Sequence, residues 1–294
     1  MAPVVIAVTG ASGKLGSATI GYLLERGVSP ANIIALVRDP AKAGAHAARG
    51  IQVRRGDYTD PASLQRALSG VDRLAFVSTS ALGEERMLHH GNVVRAARAA
   101  KVGHIFYTSV IKPAAVAKFA ASPGHYQTEV LIRDSGLPWT FLRNNLYLDL
   151  VPLMFGDALT SGKLVHNGGD GRIGFVARQD IACGFAAALT AEGNANRAFA
   201  ITAQSPYSLG DVARALGRAG GKSVTYEAMN SQQLRDAMTA KGVPPPIVEM
   251  SVALGEAVRA GEFDAGSDDL ATLMGRTPMN LEQFLTLALA RKEG

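Results

Sequence analysis

The sequence predicts an α/β fold, a doubly wound parallel sheet followed by a smaller helix-rich C-terminal lobe. Three observations predict it. The chain opens on a β-branched run, Val4-Val5-Ile6-Ala7-Val8, that ends in a glycine-rich turn and enters a helical pattern. Strand and helix patterns then alternate with short connections as far as Leu142. From about residue 205 onward the apolar spacing is almost entirely helical.

The elements follow in order. After the first strand, Leu15, Ala18 and Tyr22 recur at helical spacing, and Gly27 stops that helix at its C′ position. Ile33 to Val37 is the second strand. Asp39 caps the next helix, with Pro40 at its first position and Gly50 beyond its end. Ile51 to Arg54 is the third strand, and Asp60-Pro61 begins a helix that Gly70 stops. Leu74 to Val77 is the fourth strand, residues 84 to 100 a helix, and Ile105 to Thr108 the fifth strand. A helix ending at Gly136 precedes strands at Trp139 to Leu142 and Ala198 to Thr202. Ser208-x-x-Asp211 and Asn280-x-x-Gln283 are helix-starting boxes. The helices between carry Leu234 and Met238, then Ile247, Met250 and Leu254, read as core-facing stripes. We expect residues 1–150 to form the nucleotide domain, with 172–204 returning to it. Residues 205–294 form the smaller lobe, with 151–171 contributing.

Composition narrows the class. The chain has 294 residues, 47% of them hydrophobic, enough for a large core. Its net charge of +5 is spread along the chain without a dense basic block. That suits an anionic small molecule and makes no case for nucleic acid. Cys183 is the single cysteine and sits in an apolar run, where a buried structural thiol is expected. Neither a signal peptide nor a membrane-length apolar run is evident, so a cytoplasmic protein is expected, as a monomer or homodimer. His89 and His90 face apart on their helix, and no metal-binding spacing occurs.

The glycine turn, Thr9-Gly10-Ala11-Ser12-Gly13-Lys14-Leu15-Gly16, carries the first chemical signal. Gly10 permits a sharp turn, Gly13 lets N–H groups approach an anion, and Gly16 lets the helix pack on the strand. Free N–H groups and the positive helix end then face a pyrophosphate, as in Rossmann-type dinucleotide sites. An ordinary βα turn is the alternative. The second strand ends in Arg38, where such folds hold the adenosine ribose. An acid there binds the 2′-hydroxyl of NAD, whereas a base accommodates the 2′-phosphate of NADP. Arg38, with Lys42 one turn later and Lys14 in the glycine turn, favours NADPH over NADH. Asp39 is assigned to the helix cap rather than to the ribose. Asp57 follows the third strand and is placed against the adenine amino group. Ser78, Thr79 and Ser80 follow the fourth, beside ribose and phosphate.

Further segments extend the pattern: Val37-Arg38-Asp39-Pro40-Ala41-Lys42, Gly56-Asp57-Tyr58, Phe106-Tyr107-Thr108-Ser109, Thr128-Glu129, Asp134-Ser135-Gly136-Leu137-Pro138-Trp139-Thr140, Leu142-Arg143-Asn144 and Arg178-Gln179-Asp180-Ile181-Ala182. Together with the glycine turn they resemble the NmrA-like branch of the atypical short-chain dehydrogenase/reductases. The similarity is to its bacterial NAD(P)H-dependent quinone reductases and triphenylmethane-dye reductases. The resemblance implies that Asn144, Asn145 and Tyr147 contact cofactor or substrate beside the nicotinamide. It also implies that Ser109 orients substrate and that Asp180 is a structural helix start.

Short-chain dehydrogenases generally use a Tyr followed four residues later by Lys for proton transfer. The corresponding positions here hold Ala121 and His125. Alanine transfers no proton, and the neighbouring Tyr126 points about 100° away on the helix. The departure fits an acceptor that delocalises the incoming electrons, such as a quinone or cationic dye. Water or His125 then supplies the proton. His125 is the catalytic candidate, its alternative being a surface or ribose-contacting histidine. Two other functions stay open: an NADP-binding redox sensor without turnover, and a ketone or imine reductase with an unrecognised donor. Gly168-Gly169-Asp170-Gly171 reads as a flexible turn near the site mouth, or a plain loop.

Overall fold

The computed structural model describes residues 3–290. Its elements, in chain order, begin with β1 (Ile6–Val8), α1 (Lys14–Glu25), β2 (Ile33–Val37), α2 (Gly44–Ala47), β3 (Gln52–Arg55), α3 (Pro61–Ala67), β4 (Arg73–Phe76) and α4 (Gly83–Ala99). They continue with β5 (His104–Val110), α5 (Ser122–Asp134), β6 (Trp139–Asn144), α6 (Val151–Phe155), α7 (Ala158–Ser161), β7 (Lys163–His166), β8 (Arg172–Ile173), α8 (Arg178–Thr190) and β9 (Arg197–Ile201). The remainder comprises β10 (Tyr207–Ser208), α9 (Leu209–Ala219), β11 (Thr225–Ala228), α10 (Ser231–Ala240), α11 (Pro245–Arg259), α12 (Asp269–Met274) and α13 (Leu281–Ala290).

Among the described residues seven strands form one sheet in the order β3-β2-β1-β4-β5-β6-β9, every neighbouring pair parallel. This is the doubly wound α/β architecture that the sequence predicts. The first two strands are buried residue by residue, as a sheet covered on both faces requires. One face is covered by α1 and α8, with Ile20, Leu23, Phe185 and Leu189 in the core. The other is covered by α3, α4 and α5, around Leu64, Val93, Tyr107 and Phe141. The strand order reverses between β1 and β4, which opens a crevice beyond their carboxyl ends.

The last strand of the sheet, β9, comes from residues beyond the irregular 151–171 segment and pairs with β6 from Thr140↔Arg197 to Asn144↔Ile201. A second apolar core gathers α6, α9, α11 and α13 around Phe155, Leu216, Val258, Phe263 and Leu285. Two small ribbons, β7–β11 and β8–β10, brace this lobe. Both capping boxes form: Ser208 with Asp211, and Asn280 with Gln283. No described helix is long and apolar enough to cross a membrane.

Three expectations are corrected. The first strand is shorter, because Val4 is exposed and only Ile6–Val8 pair. The α11 stripe is rotated: Ile247 and Met250 are 45% and 65% exposed, Val248 and Val252 pack in a small cluster with Leu234 of α10, and Val258 joins the lobe core. Gly255 sets that phase, since a Cβ there would collide with the buried Asn167 side chain. Cys183 is half-buried rather than buried. Of the two readings of Gly168–Gly171 the plain loop holds, with Gly171 against the Val258 carbonyl and Gly168 against Leu209.

Candidate active site

The crevice is built first from backbone. Gly10 adopts φ +60, a region that suits glycine, and its carbonyl accepts from Gly13 N at 2.8 Å. A Cβ on Gly16 would stand 2.8 Å from the Gly10 carbonyl carbon and 3.1 Å from Ala11 Cα, so only glycine lets α1 begin this close to β1. Gly13 caps α1 without a side-chain hydrogen bond. The first-turn N–H groups of Lys14, Leu15 and Gly16 therefore lack intrahelical partners, at the positive end of the helix dipole. This cradle fits a diphosphate. Ser12 is exposed, while Ala11 is buried beneath the turn. His46 on α2, buried, donates Nε2–H to Ala11 O at 3.0 Å and holds the turn from below. Sequence reasoning missed His46, whose partner lies 35 residues away.

Thr9 is a framework residue of the crevice. Its hydroxyl accepts from Val77 N at 2.9 Å and lies 2.5 Å from the Tyr58 hydroxyl, which donates to Val77 O at 2.6 Å. The loops after β1, β3 and β4 are thereby tied together. Asp39 accepts from Ala41 N at 3.1 Å, so it caps the turn as expected. Arg38 and Lys42 are exposed, and neither they nor Lys14 form an ion pair among the described residues. Thr59 hydrogen bonds, with the charges of Arg38 and Arg55, hold the Asp57 carboxyl below its usual range. Only its Oδ1 is used by Thr59.

The loop after β4 rests on a buried network that sequence reasoning also missed. Ser78 N donates to Thr108 Oγ1 at 2.9 Å, and Thr79 N donates to His90 Nε2 at 3.1 Å. Arg86 is 3% exposed and donates to Thr79 O, Ala81 O and His125 Nε2 at 3.0, 2.8 and 2.9 Å. Gly124 leaves room for it, since a Cβ there would stand 2.6 Å from Arg86 Cδ. Ser80 remains exposed at the loop tip.

This network engages both ring nitrogens of His125. Its Nε2 accepts from Arg86, so the ring proton sits on Nδ1 and is donated to the Tyr107 hydroxyl at 2.7 Å. Burial, then the Arg86 charge, pushes the imidazole down to about 3. The ring is neutral near pH 7, with both nitrogens hydrogen-bonded within the protein. Ser109 is similar: its buried hydroxyl donates to Glu129 Oε1 at 2.7 Å, and Arg133 and Arg143 complete that carboxylate's shell. Asn145 keeps no free amide either. Its Nδ2 donates to Thr202 Oγ1 and Phe263 O, and its Oδ1 accepts from Leu146 N.

Asn144 differs. It is 4% exposed at the carboxyl end of β6, and its Oδ1 has no partner among the described residues. Tyr147 beside it is half-buried, with Arg178 5.5 Å over the ring and Arg178 paired to Asp149 at 2.7 Å. Burial pushes the Tyr147 phenol up. Asp180 is structural, as expected, accepting from Arg276 at 2.7 Å and Met279 N at 2.6 Å. Among the described residues no group of three metal-ligating side chains is clustered.

Residues 10–192 match the family model described as NAD(P)H-binding. The chain is 34% identical over 281 residues to quinone oxidoreductase 2 of Escherichia coli, covering 96% of this chain and 97% of that protein. Its fold superposes on the NADPH complex of an NADPH-dependent quinone oxidoreductase from Escherichia coli with TM-score 0.91 and 33% identity, covering 97% and 99% of the two chains. It superposes on Citrobacter sp. triphenylmethane reductase complexed with NADP(H) with TM-score 0.89 and 36% identity, again covering 97% and 99%.

Proposed function

This chain belongs to the NAD(P)H-binding family, and from that membership we propose that it is an NADPH-dependent reductase of quinones or related conjugated acceptors such as cationic dyes. One observation carries the choice of acceptor. The cradle for a dinucleotide is complete, while the polar side chains at the ends of β5 and α5 have their protons committed to the protein. A quinone needs one hydride and one proton to become a hydroquinone, and its conjugation lets the hydride arrive without a positioned acid. Solvent water supplies the proton.

The residues divide the work. The first-turn N–H groups of α1 bind the diphosphate, and Arg38 with Lys42 binds a 2′-phosphate, which sets the preference for NADPH. Asp57 takes the adenine amino group, and Ser78 to Ser80 line the ribose. Asn144 Oδ1 accepts from a carboxamide, which orients the nicotinamide, and the Tyr147 ring walls the acceptor. Bound NADPH supplies the hydride. Mixing the protein with NADPH and 1,4-benzoquinone and following NADPH absorbance tests the reading. One NADPH consumed per quinone is expected, and no turnover with any quinone or triphenylmethane dye would overturn it.

A further inference from the structure

The C-terminal lobe encloses a cavity of about 410 Å³ between α6, α7, β7 and α10. That volume is within the range of small-molecule sites. Its walls include Met154, Phe155, Leu164, Met229, Leu234 and Met238, and it shares no residue with the crevice at the strand ends. Three methionines give those walls an adaptable, polarizable surface. The rim carries Asp157, Lys163 and Lys241, all well exposed.

One polar side chain in the wall is buried, His166, at 5% exposure. Gly168 N donates to its Nδ1 at 3.2 Å, which places the ring proton on Nε2. His166 lines the pocket, and no described residue accepts from that Nε2–H. Phe155 meets the ring edge-on at 5.6 Å and 86°, which fixes its orientation. Burial pushes the imidazole down to about 4, so it is a neutral donor near pH 7. A donor at an apolar pocket wall, left without a protein acceptor, gains a hydrogen bond when a ligand brings one.

We propose that this cavity is a second binding site, separate from the nucleotide crevice, for an uncharged flat aromatic molecule bearing one carbonyl whose oxygen accepts from His166 Nε2–H. The neutral donor and apolar wall select against a cation. The site works whether or not the crevice reduces quinones.

The probe is 9-fluorenone, titrated calorimetrically into protein saturated with NADP. One equivalent is expected to bind without displacing NADP. His166→Leu keeps an apolar surface and removes the donor, so affinity falls about 3- to 10-fold. Leu234→Trp fills the cavity and abolishes binding, while NADP affinity stays unchanged in both variants. Met238→Phe replaces Leu234→Trp if that variant melts early. In the wild type, the His166 imidazole nitrogen resonance shifts on adding fluorenone. No binding, equal binding by the variants, no resonance shift, or displacement of NADP would overturn the proposal.

Discussion

The Arg86 guanidinium donates to His125 Nε2 across 2.9 Å and so joins α4 to α5 beneath the loop that closes β4. This bond sets the tautomer of His125 and turns its remaining proton toward Tyr107. Arg86 meets two carbonyls and an imidazole but no carboxylate among the described residues. Its charge is therefore spent on positioning the Thr79–Ala81 loop.

Arg86→Met should remove three donated bonds and leave buried acceptors unpaired. A stability loss of about 2–4 kcal/mol is expected by urea denaturation, with weaker NADPH binding as the loop loosens. An unchanged midpoint would show that the network bears little load.

His125→Gln preserves an acceptor for Arg86. Turnover should stay within about threefold of wild type, because the ring has no proton to give. Steady-state rates from pH 6 to 8 should show no inflection lost in the variant, since the histidine titrates near 3 rather than near 6.5.

Arg38→Ala should weaken NADPH binding by about one to two orders of magnitude and leave NADH nearly unchanged. Titrating both cofactors checks this, and equal loss for both would remove Arg38 from the 2′-phosphate.

Gly16→Ala places a methyl against backbone of the turn, which cannot yield as a flexible side chain would. The expected result is loss of cofactor binding in a chain destabilised by about 1–3 kcal/mol, read by cofactor titration and thermal melting.

Stability should fall as pH drops from 7 to 5. His104, His125 and His166 are held down to about 4, 3 and 4 by burial, and His90 lies well below its ordinary value. The folded state keeps these rings neutral while the unfolded chain protonates them below about 6.5, so the unfolded state binds more protons. Each fully buried ring should cost about 1–2 kcal/mol over that interval, and half-buried His104 less. Denaturation midpoints across the range check the slope, and a flat profile would contradict it.

Local chemistry was legible in the sequence. The Asp39 and Asp60 caps and the two capping boxes involve partners at most three residues apart, and the glycine turn's contacts span six, so spacing alone reveals them. The alternation of strands predicted the sheet for the same reason. The buried network was not legible, because His125 meets partners 39 and 18 residues away and Ser109 meets Glu129 20 residues away. Whether a polar side chain faces a ligand or another side chain depends on those distant partners. The α11 stripe failed differently: apolar residues occur on several of its sides, and the buried Asn167 behind Gly255 chooses the face.

The place of β9 in the sheet has a consequence for how the protein is made. Asn144 ends β6, yet its edge partner is complete only at Ile201, and α8, which covers α1, lies between. At about 5–20 residues per second of translation, the β6 edge and the α8-facing side of α1 stay open for roughly 3–10 s after β6 has left the ribosome. During that interval a nascent chain presents an unpaired strand edge, the surface most prone to wrong pairing. Stalling translation between residues 150 and 190 should therefore yield a chaperone-bound chain rather than a free nucleotide-binding module.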